Sequence, residues 1–423
     1  MADFRRMPSI LRFVIGLPTL AATLHGAAAV RQVTVAAAPV ERAAQVVTIT
    51  LPRELANGAI LRDATGQPVP LQVEADLSAK FIIARQAVGQ SLRFTLEPGR
   101  TPDQGNVQVV EEPSPPRPGK TPGIARSTSA AMIQGKTGRL RVSVGGRPIL
   151  CYQMDRDAVP REDIDPKWRR AGYLHPVLTP NGQTVTEDYP KDDPAQHGIG
   201  TVWRDLVFKG RSLDFTDPKG HPERIEFGGI DRTWGGPVSG GFASWHRWLE
   251  SSDPGATVVL NESWELTAYS LPPELKGLNL FDLTVSQAVP VGESFTVSTS
   301  SRGGIAVRTP GGWSRTVALW SSNEKLADGR KNEGGPVFLA QGPVVANTAG
   351  LGVLLAKKSM FSGWWMADPG ADFLAKLEQS EMRPGRPLEM RQRFVVFDGP
   401  PDEALLEALW HGYTEPAVVT IAP

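Results

Sequence analysis

An all-β fold, with a small β-sandwich module ahead of a large antiparallel β-sandwich, is what this 423-residue sequence predicts, and three observations carry it. Glycine (43) and proline (37) punctuate the chain too often for long helices and favour short strands joined by turns. Apolar runs of strand length recur between such turns from Val33 onward. Only Pro401–Tyr413 carries a helical period: Pro401 and Asp402 signal an N-terminus, and Leu405, Leu406 and Leu409 share one face.

The elements follow in order. In residues 1–29, Arg5, Arg6 and Arg12 precede an apolar run, Phe13–Leu24, and then Ala27-Ala28-Ala29. A basic start, a short apolar core and small residues at a cleavage point predict a signal peptide, hence a periplasmic or extracellular protein. The run is too short to span a bilayer, which needs about 20 residues, and no later stretch qualifies. Residues 30–97 read as the small sandwich module, with strands at Val33–Ala37, Val46–Leu51, Phe81–Ala84 and Ser91–Thr95. Residues 98–126 are dense in proline and read as an extended, solvated linker. In residues 127–423, strands are expected at Leu140–Val144, Thr201–Phe208, Val258–Tyr269, Leu280–Ala288, Gly304–Arg308, Val353–Lys357 and Glu389–Phe397. That much strand exceeds an immunoglobulin-like domain and fits one large sandwich or a barrel.

Lysine plus arginine total 45 and aspartate plus glutamate 45. With no basic excess, a nucleic-acid partner is not expected. Cys151, the single cysteine, lies in an apolar run and reads as a buried thiol with no disulfide partner. Gly119-Lys120 and Gly135-Lys136 fail as phosphate loops, because Ser114 and Ala130 stand where the first glycine is required.

The densest polar stretch runs from Gly172 to Gly198 and holds His175, Glu187, Asp188, Asp192, Asp193 and His197. Asn181-Gly182 signals a hairpin turn that brings the segments around His175 and Asp188 together. Imidazole and carboxylate gathered this way suit acid–base chemistry or a metal, or simply a polar loop.

The run from Tyr173-Leu-His-Pro to Gln196-His-Gly-Ile resembles the family labelled methane oxygenase PmoA. Further landmarks are Glu262 in Leu260-Asn-Glu-Ser-Trp, Gly303-Gly-Ile-Ala-Val-Arg308, Trp364-Trp365 and Gln392-Arg393-Phe-Val-Val-Phe-Asp-Gly399. The resemblance implies a galactose-mutarotase-like supersandwich and a carbohydrate or small glycoside as partner. It does not imply the membrane enzyme of the label, which spans the bilayer several times. Members often carry His-Pro-His where this chain has Asp193-Pro194-Ala195, so neither a metal nor another cofactor is expected.

In Val258–Ala268, period two puts Val258, Leu260, Glu262, Trp264, Leu266 and Ala268 on one face. A carboxylate there must be paired, protonated or lining a cavity; Arg308 is one candidate partner. His246 and His221 read as surface or strand-edge residues. The expected site combines His175, His197, Asp188 and Glu262 as catalytic groups, with Arg308, Gln196, Trp364 and Trp365 binding substrate. The expected function is exported carbohydrate-active, by His/carboxylate chemistry of hydrolase, lyase or epimerase type, as in polysaccharide degradation. A non-catalytic carbohydrate-binding protein is the alternative, and a metal-dependent oxidoreductase the remote one. Oligomeric state, sugar and linkage stay open.

Overall fold

The computed structural model describes residues 30–56, 58–99, 107–114, 138–216, 223–252, 255–297, 302–318, 337–345, 347–356, 361–366, 372–377 and 380–422. The signal-peptide reading of 1–29 and the reading of His221 lie outside the described residues.

Two eight-stranded antiparallel sheets form the large sandwich. The first runs, in spatial order, through Phe361–Met366, Asp372–Leu377, Arg302–Arg308, Ile199–Arg204, Tyr173–Val177, Arg147–Gln153, Arg139–Val144 and Val107–Glu112. The second runs through Arg224–Trp234, Ser239–Ser252, Gly255–Tyr269, Leu278–Ala288, Leu388–Asp398, Thr348–Leu355, Val337–Pro343 and Ser314–Ala318. Their facing side chains, among them Leu150, Leu174, Trp203, Ile305, Trp248, Trp264, Leu283 and Phe394, make one continuous core. The predicted all-β sandwich is therefore the fold, and the sheets do not close into a barrel.

The small module is a second sandwich. Arg31–Val35, Leu92–Pro98, Ala59–Arg62 and Pro68–Val69 pack through Val33, Leu61, Phe94 and Leu96 against Arg42–Thr50, Ser78–Gln86 and Gln72–Val73, which contribute Val47, Ile49 and Phe81. Its sheet is completed from the far end of the chain, where Val419–Ala422 pairs with Arg31–Val35 in the register Val33↔Ile421. The 98–126 stretch predicted as a solvated linker also differs: Val107–Glu112 pairs with Arg139–Val144 as the edge strand of the first large sheet. Val107-Gln-Val-Val has the β-branched content a strand needs, and the surrounding prolines masked it.

The helix spans Glu403–Thr414, capped where the Asp402 carboxylate accepts from the Leu405 amide at 3.0 Å. Leu406, Leu409 and Trp410 are buried with Leu354, Val395 and Phe397 of the second large sheet and Ala43 and Ala44 of the small module. The helix thus joins the two sandwiches. Cys151 is buried as predicted, and that burial pushes its thiol pKa up.

Candidate functional site

The polar stretch folds onto the middle of the first large sheet. Tyr173–Val177 turns back at Asn181-Gly182, where the Gly182 amide donates to the Thr179 carbonyl at 2.9 Å and Gly182 takes φ 81°. His175 and Thr186 meet across this hairpin, with Nδ1 and Oγ1 3.0 Å apart. The chain then returns to pair Leu174 with Ile199. Gly198 makes that return possible, because a Cβ there would lie 1.9 Å from the Leu174 carbonyl oxygen and 3.0 Å from the His175 Cβ.

His197 sits one residue before that glycine, bridged in strand fashion to Asp188. Its Nδ1 lies 2.9 Å from Asp188 Oδ1, and the Tyr173 hydroxyl donates to Asp188 Oδ2 at 3.1 Å. Tyr173 stacks on the imidazole at 4.8 Å between centroids and Tyr189 meets it edge-on at 4.4 Å. Tyr189 is held at φ 48°, a backbone state that bulky residues rarely adopt. Burial, the largest effect, pulls the His197 pKa below its ordinary value, and Asp188 only partly opposes it. Burial lowers His175 in the same way, with Asp188 opposing and His197 adding to the fall. A neutral His197 whose Nδ1–H donates a hydrogen bond to Asp188 keeps its Nε2 lone pair available as a base.

Glu262 lies elsewhere. It faces into the sandwich interior, 2% exposed, and accepts from Thr201 Oγ1 (2.9 Å), Trp264 Nε1 (2.7 Å) and Gln287 Nε2 (2.6 Å). His246 Nδ1 is 3.1 Å away without hydrogen-bond alignment, and its Nε2 is 2.6 Å from the Tyr152 hydroxyl. Burial drives the Glu262 carboxyl upward, but His246, Gln287 and Thr201 together hold it below the usual carboxylate value. The predicted alternation of this strand holds from Leu260 to Ala268. His246, read as a surface or edge residue, is instead fully buried opposite Glu262. Its neighbours Trp245 and Arg247 take the outer face, as period two requires.

Arg308 is not the partner of Glu262. Its Nε donates to Glu187 at 3.1 Å, its Nη2 to Asp192 at 3.0 Å, and its Nη1 to the Gln196 carbonyl oxygen. With every nitrogen engaged and the side chain 3% exposed, Arg308 ties down the 187–196 loop rather than offering its fork to a ligand. Gln196 is likewise committed, accepting from Arg308 and donating to Asp193 at 3.1 Å. Trp364 and Trp365 lie in a strand paired with Ala375 and Leu374, and their side chains lie outside the described residues.

His197 opens on a cleft of about 70 Å³ whose walls include Trp168, Arg169, Arg170, Ala195 and Phe215. Trp168 also lines a neighbouring cleft of about 420 Å³, with Arg161, Lys191 and Pro194. His175, Glu262 and Arg308 line neither of these two. Among the described residues, no three His, Cys, Asp or Glu side chains gather to hold a metal ion.

Sequence reasoning missed Arg170, Tyr173 and Tyr189 as site residues. Tyr173 and Tyr189 lie inside the polar stretch itself, whereas Arg170, two residues before it, belongs to no motif.

Fold and site define a large two-sheet antiparallel sandwich in which a carboxylate-oriented imidazole looks onto a basic cleft. Residues 139–411 match a family of unknown function (DUF6807), and the chain belongs to that family. This corrects the resemblance to the PmoA-labelled family, which finds no match. Its landmarks were short His-Pro, Thr-Pro and Gly-Gly turns and strand starts, which antiparallel sandwiches use widely. Among curated proteins there is no match. One matching solved structure is a putative kojibiose phosphorylase from the human microbiome, at 7% identity and TM-score 0.24, covering 50% of this chain. The chain covers 25% of that protein's length. Among the described residues, no helix is long and apolar enough to cross a membrane.

Proposed function

We propose that the protein is an exported, carbohydrate-active protein whose working group is the Asp188–His197 pair, with His197 Nε2 as the base toward a glycoside or polysaccharide fragment. The observation that carries this is the 2.9 Å contact between His197 Nδ1 and Asp188 Oδ1 at a cleft wall. A carboxylate behind an imidazole fixes its tautomer and stabilises the imidazolium formed when it takes a proton. Removing a proton from a sugar carbon, as in a lyase or epimerase, fits this pair better than glycoside hydrolysis, which ordinarily uses two carboxyl groups flanking the bond. Glu262 does not serve as the second, since Thr201, Trp264 and Gln287 hold it inside the sandwich.

The alternative, binding without turnover, is favoured by that same placement of Glu262, which leaves no second acid on the cleft wall opposite His197 except Glu223. One experiment separates the two. Turnover and binding are measured on a panel of neutral and acidic oligosaccharides for the wild type and His197→Gln. Loss of turnover by about 100-fold or more with binding retained supports the enzyme. Binding by both proteins with no turnover by the wild type supports the alternative, and absence of both binding and turnover overturns the carbohydrate reading.

A further inference from the structure

Arg170 is the unusual residue of the cleft. Its Nε and Nη2 are shielded from solvent and have no hydrogen-bond acceptor, and none of its side-chain nitrogens bonds a carboxylate. The guanidinium lies among Tyr152, Tyr173 and Tyr189, between Glu262, whose negative charge it feels most, and His197, whose proton it repels. Unmet donors on a buried cation are costly, and a fold that keeps them supplies a place for an acceptor.

The other cations of the cleft are spoken for to different degrees. Lys167 pairs with Asp165 at 2.9 Å, Arg169 with Asp157 at 3.3 Å and Arg224 with Glu226 at 3.0 Å. Arg156 holds only the carbonyls of Arg169 (2.9 Å) and Pro166 (3.3 Å), so its charge is not matched by a bonded carboxylate. Two guanidinium groups with no hydrogen-bonded carboxylate thus line one small space, in which Glu223 is the one acid. The cleft of about 70 Å³ is lined by both of these arginines and by His197, so an anionic group entering it meets Arg156, Arg170 and the imidazole together. Trp168 lines both this cleft and the neighbouring one of about 420 Å³, and an indole shared by two clefts is a surface on which a sugar can stack.

We propose that this cleft is a subsite for the carboxylate of an acidic sugar, a uronate, held by Arg170 and Arg156 with its ring against Trp168. The inference rests on the carbohydrate reading above and narrows its substrate class. A carboxylate accepts two parallel N–H bonds from a guanidinium and would satisfy the donors Arg170 now leaves open. It also places the carbon bearing the acid near His197 Nε2, where a proton next to a carboxylate is the one a base would remove.

The test uses the full-length protein and isothermal titration with glucuronate, a short glucuronate oligomer, glucose, the neutral oligomer of glucose and inorganic sulfate. Acidic sugars should bind at least about tenfold more tightly than their neutral counterparts, and Arg170→Gln should remove that preference while leaving the neutral sugars unchanged. Arg156→Gln, at an exposed position, should reduce the preference in part and keeps the test intact if Arg170→Gln fails to fold. Equal affinity for acidic and neutral sugars overturns the inference, as does an Arg170→Gln protein that folds and keeps the preference. Sulfate binding as tightly as glucuronate also overturns it, because the site would then read an anion alone. His197→Gln should keep the preference, so an acid-selective wild type without turnover defeats the catalytic reading and leaves this one standing.

Discussion

Thr201 Oγ1 of one large sheet donates to Glu262 Oε1 of the other, 2.9 Å across the interior of the sandwich. Gln287 and Trp203 extend the link, with Trp203 Nε1 donating to Gln287 Oε1 at 2.8 Å. A buried carboxylate with donors on both oxygens acts as a fixed acceptor that sets the spacing and registration of two sheets. That role explains why an acidic residue occupies the apolar face of its strand.

Glu262→Gln should therefore destabilise the protein. The new amide has one acceptor for two groups of donors, and its NH2 must face the Gln287 amide or the Thr201 and Trp264 donors. An unsatisfied buried donor costs about 1–3 kcal/mol. Urea denaturation should show that loss, with affinity for neutral sugars per folded molecule unchanged. A variant of wild-type stability that loses ligand binding would assign Glu262 to the site instead.

Gly198→Ala should harm the site as much as the fold. Its Cβ cannot coexist with the Leu174 carbonyl 1.9 Å away, so the strands carrying His175 and His197 must part. Overpacking of this kind costs roughly 1–3 kcal/mol. Melting temperature and ligand affinity should both fall. Gly210→Ala, in an open turn at φ 75°, is the comparison: it strains the backbone at a residue that lines neither cleft and should lower stability alone.

How much of this was legible in the sequence varies with the physics. Gly255–Tyr269 was visible because it alternates from Leu260 to Ala268 between core and outer face, and Leu388–Asp398 because Phe394–Phe397 is a continuous apolar run, buried on both faces. Arg224–Trp234 and Ser239–Ser252 were not, because Gly228, Gly229, Gly240 and Gly241 look like turn punctuation. Gly228 in fact clears space for the Trp245 ring, 2.1 Å from its would-be Cβ, and Gly241 for the Leu266 carbonyl. The return of Val419–Ala422 to the first module is a pairing nearly 390 residues distant, which no local pattern encodes. In the site, the hairpin signal at Asn181-Gly182 brought His175 toward Asp188 and Thr186. Arg308 was misjudged because its acid partners, Glu187 and Asp192, lie more than 110 positions away. Arg170 carries no motif at all, and only its lack of a partner in three dimensions sets it apart.

Asp282→Ala should loosen the helix that joins the sandwiches. Arg393 donates to Asp282 through Nε (2.7 Å) and Nη2 (2.9 Å), and its guanidinium lies 4.6 Å from the ring centre of Tyr413 on the helix. Its Nη1 also reaches the Ala44 carbonyl of the small module at 3.4 Å. Removing one member of a buried ion pair leaves the other uncompensated, a loss of about 3–5 kcal/mol. The exposed Arg391–Glu389 pair, broken by Arg391→Ala, should cost less than about 1 kcal/mol. Equal effects of the two substitutions on the denaturation midpoint would show that the buried pair does not anchor the helix.

The pH dependence of stability should carry the signature of His197 and His175. Both are held below the ordinary value of 6.5 by burial, so on acidification the unfolded chain binds protons first. Stability changes with pH in proportion to the extra protons held by the unfolded state, so it is fully present above about 6.5 and falls as pH drops below that value. The fall continues until the folded pKa values are reached. His197→Gln removes one of the two protons from this balance while its amide can still donate to Asp188. Urea midpoints measured from pH 8 to pH 5 should be flat above 6.5 for both proteins, with a shallower decline below it for the variant. The same titration governs His197 Nε2 as a base, so wild-type turnover should lose its acid limb below pH 6.5 and not above it. A variant whose midpoint falls as steeply as the wild type would mean that folding does not lower the His197 pKa, and the reading of a desolvated imidazole at the cleft would fail.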